Sequence, residues 1–383
     1  MKKTRVFYKI ALSTLLIGVL FLTNTGFLTE PSKAEPIIID EIANDSLNIS
    51  LQVDASGREV KTVDNLQTFR ERLRLNNKTI SDVDLAKIIY RYIGESESVI
   101  ENLPKDKLLE ALSFVSCVQT TNYIKYSEDS GQTLLSKEEM VQELSFDGNL
   151  TKVGKLFLAE NSTVQAGKKN MQMVQATSSI PQIETISSDG YMRLTTAAIE
   201  TLGEHEDRTY YTITASAEWL KEPAFKLQDV LAITSNATYD NSYNDYGYFR
   251  ETCVEYIGNT NGEAEIVNTY YEKNYLYKDG TTNKENSIWF EYSSGVGGVV
   301  LRFDMFDQSA PGSSTPHWFE FDISAYVRFR CSLYNVDGGV QAAYGHKKLG
   351  SNISVDLSSG AIGMSIIGLM DEYHGQTLSI YFQ

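Results

Sequence analysis

From Phe319 to Leu333 the chain alternates apolar and polar residues without a break. Phe319, Phe321, Ile323, Ala325, Val327, Phe329, Cys331 and Leu333 share one parity, and Glu320, Asp322, Ser324, Tyr326, Arg328, Arg330 and Ser332 share the other. Side chains on a strand point alternately to opposite faces of its sheet, so this period of two predicts a half-buried β-strand. It is longer than the usual five or six residues, so it is expected to bend or to cross from one sheet to another. Tyr211, Ile213, Ala215, Ala217 and Trp219 alternate in the same way with Tyr210, Thr212, Thr214, Ser216 and Glu218. Asn261-Gly262, Asp337-Gly338 and Ser359-Gly360 each fall between strand-like runs, where a two-residue hairpin loop needs positive φ; Asp279-Gly280 does so in a longer loop. About eleven strands are expected between Tyr191 and Phe382. No helix-length pattern interrupts them, which argues against βαβ crossovers. The expected product is an antiparallel β-sandwich of two packed sheets, with a closed β-barrel as the alternative.

The preceding stretch has a different period. Val83, Ile88, Ile89, Tyr92 and Ile93 form a helical stripe behind Ser81, a good N-cap. Pro104 suits the first turn of a following helix, whose apolar positions are Leu108, Leu109, Leu112, Val115 and Cys117. Ser136-Lys137-Glu138-Glu139 reads as a capping box ahead of Met140, Val141 and Leu144. The stretch Gln119–Lys125 is strand-like. Residues 160–190, rich in Ser, Thr, Gln, Ala and Asn, have no sustained period and read as a linker. The expected class is α+β by segregated domains: a mainly helical domain over 35–159, the linker 160–190, and the β-sandwich domain over 191–383.

Residues 1–34 read as a secretory signal peptide. Lys2, Lys3, Arg5 and Lys9 precede an apolar segment densest at Leu15–Leu22, Pro31 breaks any helix, and Ser32-Lys33-Ala34 offers a small-x-small cleavage site after Ala34. The competing reading is an uncleaved membrane anchor, since Ile10–Phe27 approaches the roughly 20 residues that span a bilayer. Thr23, Asn24 and Thr25 interrupt it. No Cys stands at the cut, and Ser379–Gln383 has neither an apolar tail nor a basic stop. The mature form is therefore expected to be extracellular, either released or associated with the cell wall without a stable membrane anchor. The first 34 residues carry five Lys or Arg and one Glu, so the net charge of −16 becomes −20 over residues 35–383. Such a charge argues against nucleic acid and anionic bilayers as electrostatic partners.

The three cysteines are too few for a disulfide scaffold. Cys117 lies in a helical pattern, while Cys253 and Cys331 lie in strand patterns. Export permits a Cys253–Cys331 bridge, and three buried thiols are the other reading.

Several segments resemble a group of secreted proteins of Gram-positive bacteria: Thr121-Asn122-Tyr123-Ile124-Lys125 with Ser136-Lys137-Glu138-Glu139-Met140, then Tyr191-Met192-Arg193-Leu194 and Glu218-Trp219-Leu220. The likeness runs along most of residues 35–383. It implies secretion and the helical-plus-β layout, and brings no catalytic residues with it.

No catalytic motif stands out. His205, His317, His346 and His374 form no H-E-x-x-H spacing, and neither a G-x-S-x-G elbow nor a phosphate loop occurs. The most suggestive stretch is Tyr239, Asp240, Asn241, Ser242, Tyr243, Asn244, Asp245, Tyr246, Gly247, Tyr248. Rings that can stack on sugar C–H faces alternate there with polar heads for hydroxyls, so Tyr239, Asp240, Tyr243, Asn244, Asp245 and Tyr246 are the candidate ligand-binding residues. Asp240, Ser242, Asn244 and Glu251 also fall at calcium-loop offsets, but Asp245 stands where that loop needs Gly. No cofactor is expected apart from this weak Ca²⁺ pattern. The plainer reading is a long loop whose tyrosines cover a sheet edge. Ile353, Val355 and Leu357, followed past Ser359-Gly360 by Ile362, Met364 and Ile366, make an amphipathic hairpin. Its arms are shorter than the 9–11 residues of membrane strands. The leading expectation is a non-enzymatic secreted protein whose β-domain loops bind a cell-surface glycan or protein. A hydrolase with an unrecognised site and a membrane-active, pore-forming protein are the alternatives.

Overall fold

The computed structural model describes residues 39–53, 58–127, 131–146, 150–162, 190–203, 208–221, 228–239, 246–258, 264–278, 288–292, 297–305, 318–333, 338–347, 353–358, 361–366, 370–374 and 378–380. The signal segment 1–34, the cleavage site at Ala34 and nearly all of the linker lie outside them. The N-terminal part runs α1 (Ile39–Ser46), β1 (Asn48–Val53), β2 (Glu59–Asp64), α2 (Leu66–Asn76), α3 (Asp82–Ile93), α4 (Glu97–Asn102), α5 (Lys105–Leu109), a 3₁₀ turn (Glu110–Ser113), β3 (Phe114–Ser127), β4 (Gly131–Leu135), α6 (Lys137–Ser145) and α7 (Lys152–Ser162). Strands alone follow: β5 (Gly190–Thr201), β6 (Thr209–Lys221), β7 (Gln228–Ser235), β8 (Thr238–Tyr239), β9 (Tyr246–Gly258), β10 (Ala264–Lys278), β11 (Ile288–Tyr292), β12 (Gly297–Asp304), β13 (Trp318–Leu333), β14 (Gly338–Lys347), β15 (Ile353–Ser358), β16 (Ala361–Ile366), β17 (Met370–His374) and β18 (Leu378–Ile380).

The caps read from sequence form as expected. The Ser81 side chain accepts from the Asp84 amide at the head of α3, and Gly94 closes that helix at φ 101°, a conformation glycine adopts without strain. Ser136 and Glu139 make the reciprocal bonds of a capping box on α6.

Every named strand pairing is antiparallel. The ten-stranded sheet has the order β1-β2-β3-β5-β6-β13-β9-β10, with β4 beside β3 and β8 beside β13. The six-stranded sheet runs β11-β12-β7-β14-β17, with β18 beside β14. Among the described residues neither order closes, so the open sandwich forms rather than the barrel. Among the described residues β15 and β16 pair only with each other.

β13 holds the long alternation, and it neither leaves its sheet nor switches partners between sheets. β9 pairs with it over Trp318–Arg328 and β6 over Ser324–Leu333. Ile323, Ala325, Val327, Phe329 and Leu333 pack with Ile213, Ala215 and Trp219 of β6 and with Leu231, Ile233, Leu301 and Tyr344 of the second sheet, forming the sandwich core. Asp337-Gly338 does not close a hairpin, because β13 and β14 belong to different sheets.

One further expectation changes. The helix placed over 105–117 stops at the 3₁₀ turn, and Val115 and Cys117 lie in β3. The run from Phe114 is rich in β-branched and aromatic residues, which suit a pleated surface. The layout is otherwise the expected one, a small helical N-terminal region and a large antiparallel β region, with β1, β2, β3 and β4 of the N-terminal part extending the main sheet. Of the two readings of the cysteines, three buried thiols without a disulfide is the one that forms. Cys253 faces Phe321 across the register, and Cys331 stands ten residues further along β13, about 33 Å at strand rise.

Helices α6 and α7 pack on Tyr123, Tyr191 and Leu220. Thr151 fixes α7 to β6: its hydroxyl donates to the Trp219 carbonyl at 2.5 Å and accepts from the Gly154 amide at 3.0 Å. A Cβ on Gly154 would run into the Leu220 carbonyl oxygen. Gly154→Ala is therefore expected to cost about 1–3 kcal/mol through backbone displacement, measured as a lowered urea midpoint with unchanged m-value.

Candidate functional site

The second face of the main sheet carries the chemistry. Its residues have the parity that a half-buried strand gives to solvent, yet α1–α5 cover it. Thr212, Thr214, Ser216 and Glu218 of β6 and Asp322, Ser324, Tyr326 and Arg328 of β13 are all buried. An apolar cluster of α2, α3 and α4 with Val63, Cys117, Ala197, Ile199, Tyr246, Tyr248 and Tyr326 closes over the face.

The turn after α3 inserts into this face. Gly94 is followed by Glu95, only 6% exposed, whose carboxyl accepts from the Thr214 hydroxyl at 3.2 Å. Ser96 accepts from the Val99 amide as the N-cap of α4 and donates to Glu218 at 2.6 Å. Glu218, 1% exposed, also receives two bonds from Arg193 at 2.9 and 2.7 Å. Burial and the Glu218 carboxylate raise the Glu95 pKa to about 7, against the Thr214 hydrogen bond and the Arg193 and Arg328 charges. Burial is the largest influence on Arg193 and opposes its charge, but Glu218, Tyr123 and Glu160 together hold its pKa above the ordinary value.

A second group lies toward the other end of the face. Arg328 is 1% exposed and bonds through Nη2 to Glu110 of the 3₁₀ turn, which also meets Lys107 at 3.2 Å. The register sets Tyr246 opposite Arg328 and Tyr248 opposite Tyr326. The Tyr248 and Tyr326 rings stack at 5.6 Å, and Tyr246 lies 6.3 Å from each. Among the described residues the hydroxyls of Tyr246, Tyr248 and Tyr326, Nε and Nη1 of Arg328, and Oε2 of Glu95 have no hydrogen-bond partner. Each such buried group costs about 1–3 kcal/mol, so together they weigh as much as the roughly 5–15 kcal/mol by which a typical fold is stable.

Tyr246 is thus the one candidate ligand-binding residue whose side chain the structure describes, and it is buried against sheet and helices instead of standing in a loop. Tyr239 lies in β8, its backbone paired with Cys331. Asp240, Tyr243, Asn244 and Asp245 lie outside the described residues. Glu251, the last calcium-loop position, is buried within β9 opposite Ile323. Among the described residues no group of three His, Cys, Asp or Glu side chains is set to hold a metal ion.

One histidine has a partner of catalytic type. His346 Nδ1 lies 2.8 Å from Asp229 Oδ1, Tyr344 donates to the other oxygen of Asp229, and Trp219 Nε1 donates to Tyr344 at 3.0 Å. The set is sealed in the sandwich core, where the His346 ring meets the Trp219 and Tyr126 rings. It joins the two sheets through one polar chain. Neither it nor the Glu95–Glu218 pair meets solvent in this arrangement, so a substrate would have to part the layers to reach them. His205 and His317 lie outside the described residues.

The exposed chemistry is at the sheet's first edge. Every residue of β1 is exposed, with Ile49 at 47%, Leu51 at 49% and Val53 at 61%. Among the described residues β1 pairs with β2 alone.

No family model matches the chain, and no curated protein matches it. Among solved structures the chain is similar to the Clostridium perfringens NetB toxin in the membrane inserted form, at 7% identity and a TM-score of 0.18, covering 48% of this chain and 89% of that one. A likeness at that score carries no weight for fold or function.

Proposed function

We propose that this is a secreted, non-enzymatic binding protein that captures a protein partner by adding one of the partner's extended segments to the outer edge of β1. The observation that carries this reading is the composition of that edge. Soluble proteins guard sheet edges with charge, proline, bulges or very short strands. β1, Asn48-Ile49-Ser50-Leu51-Gln52-Val53, has neither charge nor proline, and it sets three apolar residues at alternate exposed positions. Strand addition uses such an edge: backbone groups supply affinity, and alternate side chains supply selectivity. The net charge of −20 over residues 35–383 favours a basic partner segment, because opposite charge speeds encounter and suppresses wrong partners. The signal-like N-terminus supports a meeting outside the cytoplasm.

The test is selection of displayed random peptides on residues 35–383, with a glycan array in parallel. The expected peptides are basic, alternate apolar residues, protect the amides of 48–53 from hydrogen exchange, and lose at least about tenfold in affinity on Leu51→Lys, about 1.4 kcal/mol. Peptides indifferent to that substitution, or glycan binding alone, would sink the reading.

A second reading has its own observation. In the β15–β16 hairpin Ile353 pairs with Ile366, Val355 with Met364 and Leu357 with Ile362, while Ser354, Asp356 and Ser358 pair with Ser365, Gly363 and Ala361. Among the described residues the hairpin shares no ladder with either large sheet, and its pattern fits the alternation of membrane strands. Its six-residue arms are short of the 9–11 needed to span. Dye release from vesicles at micromolar protein, abolished by Val355→Asp, would favour this membrane-active reading over strand addition.

A further inference from the structure

We propose that the chain folds around a small oxyanion, a carboxylate or inorganic phosphate, held between the helical layer and the ten-stranded sheet by Arg328, Tyr246, Tyr248 and Tyr326. Four residues on two neighbouring strands present five unpartnered nitrogen or hydroxyl groups to one buried patch. All five can donate, and the two on Arg328 only donate. A cation would be repelled by the guanidinium, and an apolar ligand would leave the donors as they are. An anion with several oxygens accepts from phenols and guanidinium together.

The charge balance points the same way. Glu110 is the carboxylate that bonds Arg328, and it also meets Lys107 at 3.2 Å, so it does not serve Arg328 alone. Arg328 keeps its proton: burial is the largest influence and opposes the charge, but Glu110, Tyr90 and Tyr326 together hold its pKa above the ordinary value. The acids on the same face are otherwise engaged or set further off. Glu218 is held by Arg193 and Ser96, Glu95 bonds Thr214, and Asp322 stands three rows along β13 from Arg328. The patch is sealed by α3 and the 3₁₀ turn, so the anion would be acquired during folding and retained.

The protein is unfolded in guanidinium chloride, desalted, and refolded with chloride as the sole anion or with added phosphate or acetate. One of the two oxyanions is expected to raise the thermal midpoint by roughly 5 °C at a hundredfold excess over its Kd, and the more effective one identifies the ligand class. Tyr248→Phe and Tyr326→Phe keep the rings and delete the hydroxyls. Each is expected to weaken the anion effect about tenfold and to leave the chloride midpoint equal or higher. Arg328→Met should abolish the effect; should it fail to fold, the two phenylalanine variants decide. A midpoint indifferent to both oxyanions, or a shift that both phenylalanine variants retain in full, overturns the proposal.

Discussion

Glu95→Gln is expected to remove a loss of stability of about 3 kcal/mol that the wild-type protein shows between pH 5 and pH 7. The carboxyl of Glu95 has a pKa near 7 in the folded chain and an ordinary value of about 4.3 when unfolded. In that interval the native state keeps a proton that the unfolded state has released. Stability therefore falls as pH rises, because the unfolded chain binds fewer protons. The contribution is full below about pH 4.3, declines to about pH 7, and is flat above. Burial drives the shift first and the Glu218 carboxylate second, while Thr214, Arg193 and Arg328 oppose them. Among the described residues, the other acids with displaced pKa values do not hide the effect. Burial raises the pKa of Glu160, which adds a slope of the same sign. Hydrogen bonds lower Glu139 through Ser136 and Glu143 through Lys125, so their contributions change below that interval. Gln keeps the shape and an acceptor for Thr214 but does not titrate. Guanidinium unfolding of both proteins at pH 5 and pH 7.5 gives the comparison, and an unchanged slope in the variant would disprove the assignment.

The pH term arises because the polar parity of β6 and β13 lies under helices, and that is where reading the residues alone fell short. Alternation identifies two faces and says which one is apolar. It does not say what covers the polar one. Glu218, Ser324, Tyr326 and Arg328 read as solvent-facing, and Tyr246 and Tyr248 read as loop aromatics, because the covering layer is far away in sequence: Glu95 and Ser96 lie 119 and 122 residues from Thr214 and Glu218, and Glu110 lies 218 from Arg328. A signal was present in the strand-like Gln119–Lys125. It places a β-strand of the N-terminal part beside β5 and brings α3, α4 and the 3₁₀ turn over the face. Local features fared better because their causes are local. The N-cap at Ser81, the capping box at Ser136 and the sandwich core from odd positions of β13 each depend on spacing within a few residues. The end of the 105–117 helix was misjudged for the converse reason. Leu108, Leu109, Leu112, Val115 and Cys117 suit helical spacing, but pairing of β3 with β2 and β5 satisfies more backbone groups than one more helical turn could. Cys253 and Cys331 are both in strands, as expected, and only the register shows that they stand far apart.

Arg193→Met is expected to cost about 3–5 kcal/mol, the largest effect of any single change considered for this face. Methionine replaces the buried stem but withdraws both hydrogen bonds to Glu218. The carboxylate then sits at 1% exposure with Ser96 as its remaining bonded neighbour. The loss spreads beyond the pair. Ser96 is also the N-cap of α4, and the Arg193 guanidinium lies over the Phe157 ring of α7 at 5.8 Å. One ion pair therefore ties α4, β5, β6 and α7. The cost should be mostly that of a stranded charge, not of a lost attraction, and one comparison separates these. Adding Glu218→Met to Arg193→Met removes the stranded charge and should recover more than half of the loss, since buried pairs replaced by apolar residues of similar size are often neutral. If the double variant is as unstable as the single one, the ion pair is not what holds the helices to the sheet.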